Sequence, residues 1–286
     1  MDNKLKFDEY NKLQADKAES NQEWFKDYEF DFEDRVQYAD KLELLLFECF
    51  AECIFDKIAL TKFDLEDVFL AWLIFIALDE FNGANGAITM FEMEYGYSVQ
   101  SKATQFANEM MRSRETRKLN DYILYGESKD ESQTEQETGN NFENYNPQNS
   151  DFDVLNNGAG NRKQRTTQKT SIVNKNNQEV SDKAMLENNF DRIVTASRTE
   201  TNRVCNDRLH TQMSELFKYH IWVSAGDNLV RDTHAKADGQ VKPINEPFEV
   251  GDSLMMYPCD NSLGAGAEEI VNCRCMEEFT NNAEGE

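Results

Sequence analysis

Along the first part of the chain, apolar residues recur at helical spacing. Between Val36 and Ile58 they fall at Leu42, Leu45, Leu46, Cys49, Cys53 and Ile54, which lie on one helix face. A second helix is expected after Thr61, with Asp64 as N-cap and Asp67 three residues on. Its run from Val68 to Leu78 is apolar nearly all round, as suits a helix buried against others. The breaker Asn82-Gly83-Ala84-Asn85-Gly86 ends it. A further helix is predicted from Ser98 to Leu124, with Phe106, Met110 and Leu119 inward and a positive patch at Arg112, Arg114, Arg117 and Lys118. Residues 30–125 thus read as a helical domain behind an N-terminal arm, residues 1–29.

From Gly126 to about Lys183 the pattern is lost. Asn, Gln, Ser, Thr, Glu and Gly dominate, and too few large apolar residues remain to offset the entropy of ordering, so a polar low-complexity linker is expected. From Ala184 to Tyr219 helical spacing returns through Leu186, Phe190, Ile193, Val194, Val204, Leu209, Met213 and Leu216, enough for a rod of ~50 Å. The chain then becomes short and turn-rich: Ile221-Trp222-Val223, Gly226-Asp227, Asp238-Gly239, Asn245-Glu246-Pro247, Gly251-Asp252 and Tyr257-Pro258. Brief strands packed on one long helix make an α+β fold, with the C-terminal domain at 184–280 and a short tail at 281–286.

Charge narrows the partners. The balance is 30 Lys and Arg against 54 Asp and Glu, a formal net charge of -24, which repels polyanions and argues against a general nucleic-acid coat. The exception is local: Arg162, Lys163, Arg165, Lys169 and Lys175 form an acid-free stretch, a candidate for non-specific phosphate contact or simply a solvated linker. The apolar run at Val68–Leu78 is about half of the ~20 residues a membrane span needs. Six cysteines without a secretory leader are expected to stay reduced, in a soluble protein made in the cytoplasm. Cys49 and Cys53, at i and i+4, suit small core positions.

A sharper signal lies in the order of particular residues near the C-terminus: Arg198-Thr199-Glu200, Arg203, Asn206, Trp222, Asp227, Arg231, His234, Asp238-Gly239, Phe248, Gly251, Tyr257-Pro258, Asp260, Glu268 and Asn272-Cys273-Arg274-Cys275. This ordered set resembles the Mu F-like head-morphogenesis family of tailed bacteriophages, over about residues 185–279. The resemblance implies a minor head protein of the virion. Such a protein associates with the portal and other head proteins during assembly in the host cytoplasm, and is packaged or ejected with DNA. It implies no catalytic residues and no required cofactor. One departure is visible: the family tends to have Pro-Gly-Asp where this chain has Pro258-Cys259-Asp260, so a turn suited to positive φ holds a residue that disfavours it.

The residues themselves suggest two kinds of chemistry. Glu200 and Arg203, at i and i+3, can pair, and Arg203 can reach an acid such as Asp227 or Asp238 from the strands; a polar network pinning strands to helix is the simplest purpose. His234, Cys259, Cys273 and Cys275 are zinc-ligand types, although Cys-x-Cys in a strand would point its thiols to opposite faces, and buried thiols are the plainer alternative. Two other functions are weighed against the head protein. One is a DNA-binding virion protein that protects or regulates the genome during ejection, or a binder of a host protein. The other is an enzyme built on His234, Asp238 and Glu200. No glycine-rich phosphate loop, Gly-x-Ser-x-Gly elbow or His-Glu-x-x-His supports the enzyme, and the chain ends too soon after Cys275 for an appended catalytic module.

Overall fold

The structure, a computed structural model, describes residues 3–28, 31–126 and 175–283. Among the described residues seven helices come first: α1 (Asn3–Asp16), α2 (Asn21–Trp24), α3 (Phe32–Asp56), α4 (Lys62–Glu80), α5 (Ala87–Tyr95), α6 (Val99–Arg112) and α7 (Arg114–Tyr125). The long helix α8 (Lys175–Ser214) follows. After it come β1 (Tyr219–Val223), α9 (Asp232–Ala237), β2 (Val241–Pro243), β3 (Phe248–Val250), β4 (Ser253–Met255), α10 (Ala267–Ile270) and β5 (Met276–Thr280). The strands make one antiparallel sheet in the order β2-β1-β5, with Trp222 opposite Glu277, and a separate β3-β4 hairpin. The result is the α+β architecture expected from the hydrophobic pattern.

Local details differ from the expectation, each for a physical reason. Asp64 is not the N-cap of α4. Thr61 is, and Asp64 is its capping-box partner: Thr61 Oγ1 accepts from the Asp64 amide while the Asp64 carboxylate takes the Thr61 amide at 2.8 Å. The helix predicted from Ser98 to Leu124 is two helices, because Ser113 leaves the helical region and caps α7 by accepting from Thr116 N at 3.2 Å. The breaker at 82–86 gives way to the short helix α5, whose apolar face buries Phe91 and Tyr95. Helix α4 is less enclosed than its composition suggests, for Leu78 is 43% exposed.

The segment expected as an N-terminal arm contains two helices that are tied down. The buried Glu43 carboxylate of α3 takes Lys17 Nζ at 3.0 Å and Asn21 Nδ2 at 3.2 Å. Arg198 of α8 donates to Asn21 Oδ1 at 2.8 Å. The long helix also starts earlier than expected, at Lys175, and Asp182 near its beginning accepts from Tyr122 Oη at 2.7 Å and pairs with Lys57. Of the expected linker, residues 127–174 lie outside the described residues.

Helix α8 is shared by both halves of the molecule. Its Leu186, Phe190, Ile193 and Val194 belong to the same core as Leu46, Phe47 and Phe50 of α3 and Trp72 of α4. The next stretch is different: every residue from Ser197 to Asn206 is buried, although most are polar. On one side Arg35 of α3, itself 1% exposed, donates from Nη2 to Asn206 Oδ1 at 2.9 Å and from Nη1 to Asn202 Oδ1. Its guanidinium stacks 4.0 Å from the Tyr28 ring centroid and binds Asp31 at 2.7 Å. On the other side lie the C-terminal loops. Among the described residues, no helix is long and apolar enough to cross a membrane.

A buried cation whose hydrogen-bond partners are themselves buried is expensive to remove. Arg35→Ala is expected to cost about 3 kcal/mol or more of unfolding free energy. Urea titration checks it, and a loss below about 1 kcal/mol would show that Arg35 does not hold α3 to α8.

Candidate functional site

One face of α8 presents Thr199, Asn202 and Asn206 to loop backbone. Asn206 Nδ2 donates to Pro258 O at 2.8 Å, Asn202 Nδ2 donates to Cys273 O at 2.6 Å, and Thr199 Oγ1 accepts from Asn272 N at 3.1 Å. The spacing is i, i+3 and i+7, a single helix face. Side-chain amides can satisfy carbonyls that no strand reaches, so two irregular loops are held without ladder hydrogen bonds. Asn202 was not visible as a functional position in the sequence; its place one turn from both Thr199 and Asn206 was the signal.

Glu200 and Arg203 do pair, at 2.7 Å. The second partner of Arg203 is a correction: it is Glu109 of α6, at 3.5 Å, rather than Asp227 or Asp238, because Arg203 faces the helical half. Burial pushes the Glu200 carboxyl up to about 7 despite Arg203, while the acids around Arg203 hold its guanidinium above its ordinary value against the same burial. These two residues, with Thr199 and Arg192, line a mainly apolar cavity of about 480 Å³ between α6, α8 and α10. The two other acids serve turns. Asp227 pairs with Arg274 and accepts from Leu229 N at 2.9 Å, and Asp238 accepts from Ser224 N at 2.7 Å. Gly239 N returns to Trp222 O at 2.8 Å, Arg231 reaches Val271 O, and Asp260 takes the amides of Met256 and Ser262 at 2.9 and 2.7 Å.

The thiols converge more than the Cys-x-Cys spacing suggested. Cys273 and Cys275 do not sit in a strand, since β5 begins only at Met276 and Asn272 takes a left-handed φ of 56°. The turn rotates both thiols to the same side. Cys275 Sγ is 3.3 Å and Cys273 Sγ 3.5 Å from His234 Nδ1, and all three residues are buried. The other ring nitrogen, His234 Nε2, lies 3.0 Å from Glu269 Oε2, which also accepts from Thr233 Oγ1 at 2.7 Å. That carboxylate takes the Nε2 proton and leaves Nδ1 to the sulfurs, as acceptor from a thiol or, on a protonated ring, as donor to the Cys273 thiolate. Gly251 makes room for this arrangement, since a Cβ there would stand 2.9 Å from Thr233 Cγ2 and 3.0 Å from Glu269 Oε1.

Cys259 stands apart from that trio. Its thiol faces Cys273 and the carbonyls of Ile270 and Cys273 at 3.8 Å, whereas of these four residues His234, Cys273 and Cys275 have ligand atoms all within 4.8 Å of one another. It adopts the positive φ that its turn requires, 70°, and is fully buried. The Cys273 thiol, approached by the thiols of Cys259 and Cys275 and then by His234, is held well below the usual thiol range. Thiols gathered beside an imidazole nitrogen are the donor types of a soft-metal site. Trp222 walls it, its ring edge-on to His234 with centroids 5.5 Å apart.

Of the basic residues, Arg112, Arg114 and Arg117 are exposed and Lys118 is half-buried. Arg162, Lys163, Arg165 and Lys169 lie outside the described residues, and Lys175 is described only as the first residue of α8.

The class this geometry defines is an α+β domain in which one long helix organises turn-rich loops around a buried His/Cys cluster. Residues 155–277 match the family model described as Phage Mu protein F like protein, a family of structural phage-head proteins. The C-terminal region is thus similar to that family, and the motif residues that carried the resemblance stand inside the matched span. Neither the curated proteins nor the solved structures yielded a match.

The raised Glu200 carboxyl has a pH consequence. Its folded pKa of about 7 exceeds its unfolded value of about 4.5, so the folded state holds the proton more tightly, and this group's contribution to stability falls as pH rises through that window. Glu200→Gln removes the dependence. Relative to wild type, the variant is expected to gain up to about 3 kcal/mol between about pH 4.5 and 7, measured by denaturant titration at each pH; a difference independent of pH contradicts the assignment.

Proposed function

We propose that the protein is a minor head component of a tailed phage that joins the portal and other head proteins during assembly and is carried in the virion. The observation that carries this reading is the use made of the family motif. Thr199, Asn206 and Cys273 are buried and hold α8 to the loops, Thr199 through the amide of the exposed Asn272, while the buried Glu200 and Arg203 pair with each other and reach Glu109 of α6; spent on a framework in this way, they leave the outer surfaces for partners. One such surface is the outward face of α4, where Ala71 and Leu78 are exposed and Val68 and Phe75 half-buried. Another is the Arg112, Arg114, Arg117 face at the α6-α7 break, which can meet an acidic partner.

The same reading assigns His234, Cys273 and Cys275 to a structural zinc ion, with Cys259 as the closest further thiol. Zinc there would pin β5 and the 271–275 turn to α9 and replace the sheet that these loops lack; Glu269 would orient the histidine. His234 then has no catalytic part.

Two measurements test these claims. Mass spectrometry of proheads and mature particles should find the protein at low copy beside the portal, and its absence from both would overturn the virion reading. Protein purified without a histidine tag should keep about one zinc equivalent on the thiol cluster through mild dialysis. Cys275→Ser should lose that ion and lower Tm, whereas retention of the zinc by the variant would remove the site.

A further inference from the structure

All three histidines of the chain lie in ligand-like clusters, and two of them, His210 and His220, are away from the thiol site. His210 is near the end of α8, His220 on β1 and Glu277 on β5. Because Trp222 pairs with Glu277 across the sheet, His220 and Glu277 share the face that α8 covers. His210 Nδ1 is 3.0 Å and His220 Nδ1 2.7 Å from the same oxygen, Glu277 Oε1.

The hydrogen bonds around this trio do not close while the rings are neutral. His220 Nε2 is 2.9 Å from Glu246 O and must donate to it, which leaves Nδ1 of a neutral ring as an acceptor. That acceptor faces another acceptor, the carboxylate oxygen. The second oxygen, Glu277 Oε2, is buried without any hydrogen-bond partner, on a side chain that is 1% exposed. A positive charge is wanted between the three groups, from a proton on an imidazole Nδ1 or from a cation, and the orphan Oε2 is left unserved by the proton. Asp207 and Asp260, near enough to act on His210, increase that demand.

We propose that His210, His220 and Glu277 form a second metal site, which takes a first-row transition dication such as zinc through two imidazole Nδ1 atoms and one carboxylate. Two imidazoles and a carboxylate are a recurrent donor set for such ions, with a further position left to water. Ligand atoms ~2.1 Å from a tetrahedral ion lie about 3.4 Å apart, so the trio, whose ligand atoms all lie within 4.8 Å of one another, needs only to open around the ion by about half an ångström at the carboxylate. The Glu246 carbonyl takes the outer role that orients a ligating histidine. The ion would join the end of α8 to the sheet. The half-buried ring of His210 gives it a way in.

Cobalt(II) separates the two sites, since thiolate ligation gives intense sulfur-to-cobalt charge transfer and a nitrogen/oxygen site gives only weak d–d bands. The full chain, stripped with chelator and reloaded with cobalt, is expected to bind about two equivalents. In the Cys273→Ser/Cys275→Ser variant the charge-transfer band should vanish and about one equivalent remain. Glu277→Gln keeps a hydrogen-bonding group between the imidazoles, so it should fold as wild type by thermal melt and far-UV dichroism. It should lose about one equivalent of cobalt while the charge-transfer band is unchanged, and His210→Gln should do the same. Should the double cysteine variant not fold, the Glu277→Gln comparison in the otherwise wild-type chain decides alone. Undiminished cobalt in a folded Glu277→Gln protein overturns the site. Missing charge transfer in the wild type would count against the thiol cluster only.

Discussion

The burial of a polar helix segment is the constraint on which the rest of this structure depends. From Ser197 to Asn206, α8 has no face turned to water. Buried amides, hydroxyls and charges are costly without partners, and in this segment most of them find one, Thr201 Oγ1 and Arg203 Nε being the exceptions, so the segment dictates its neighbours. Arg35 meets Asn202 and Asn206 from α3; Asn21 and Glu19 meet Arg198; Glu109 meets Arg203 from α6; and the carbonyls of Pro258 and Cys273 meet the asparagine amides. Helical half and loop-rich half are thereby built around one rod instead of being joined end to end.

This explains how a region with so little regular sheet can be ordered. Its strands are three to five residues long, and its core, with Trp222, Phe248, Met255 and three cysteines, is small. Short strands carry few ladder hydrogen bonds, so the loops between them need other anchors. The asparagines of α8 supply one set. The His234 cluster supplies another, placed where the 271–275 turn crosses α9, and the two meet at Cys273, whose carbonyl binds Asn202 while its thiol faces His234.

Much of this was legible in the sequence and some was not. Helices α3, α4 and α8 announced themselves through apolar periodicity, and the strand at Trp222 through its apolar run and flanking turns. The Glu200–Arg203 pair followed from i, i+3 spacing. The break at Ser113 was hidden because apolar spacing continues through it, and only the serine's own hydrogen bonds mark it. Periodicity also failed at Ser197–Asn206: a helix buried on all sides by polar contacts looks, in sequence, like a solvent-exposed one. Thus Arg35 and Asn202 passed unnoticed, as did Glu269 and the His210–Glu277–His220 trio, whose members are 10 to 67 residues apart in the chain. The convergence of the thiols has a local cause. A strand over Cys273–Cys275 would point them apart, and the left-handed turn at Asn272 that brings both sulfurs to one side is a property of backbone conformation that no spacing rule conveys.

If the buried segment of α8 is the organising element, helix and loops must open together. Native-state hydrogen exchange of the full chain tests this directly. The amides of Ser197–Asn206, of the turn at Asn272–Cys275 and of the Tyr257–Asp260 loop are expected to share one opening free energy, and Asn202→Ala should lower it for all of them by a common amount. Loops that exchange freely while α8 stays protected in the wild type would contradict the account.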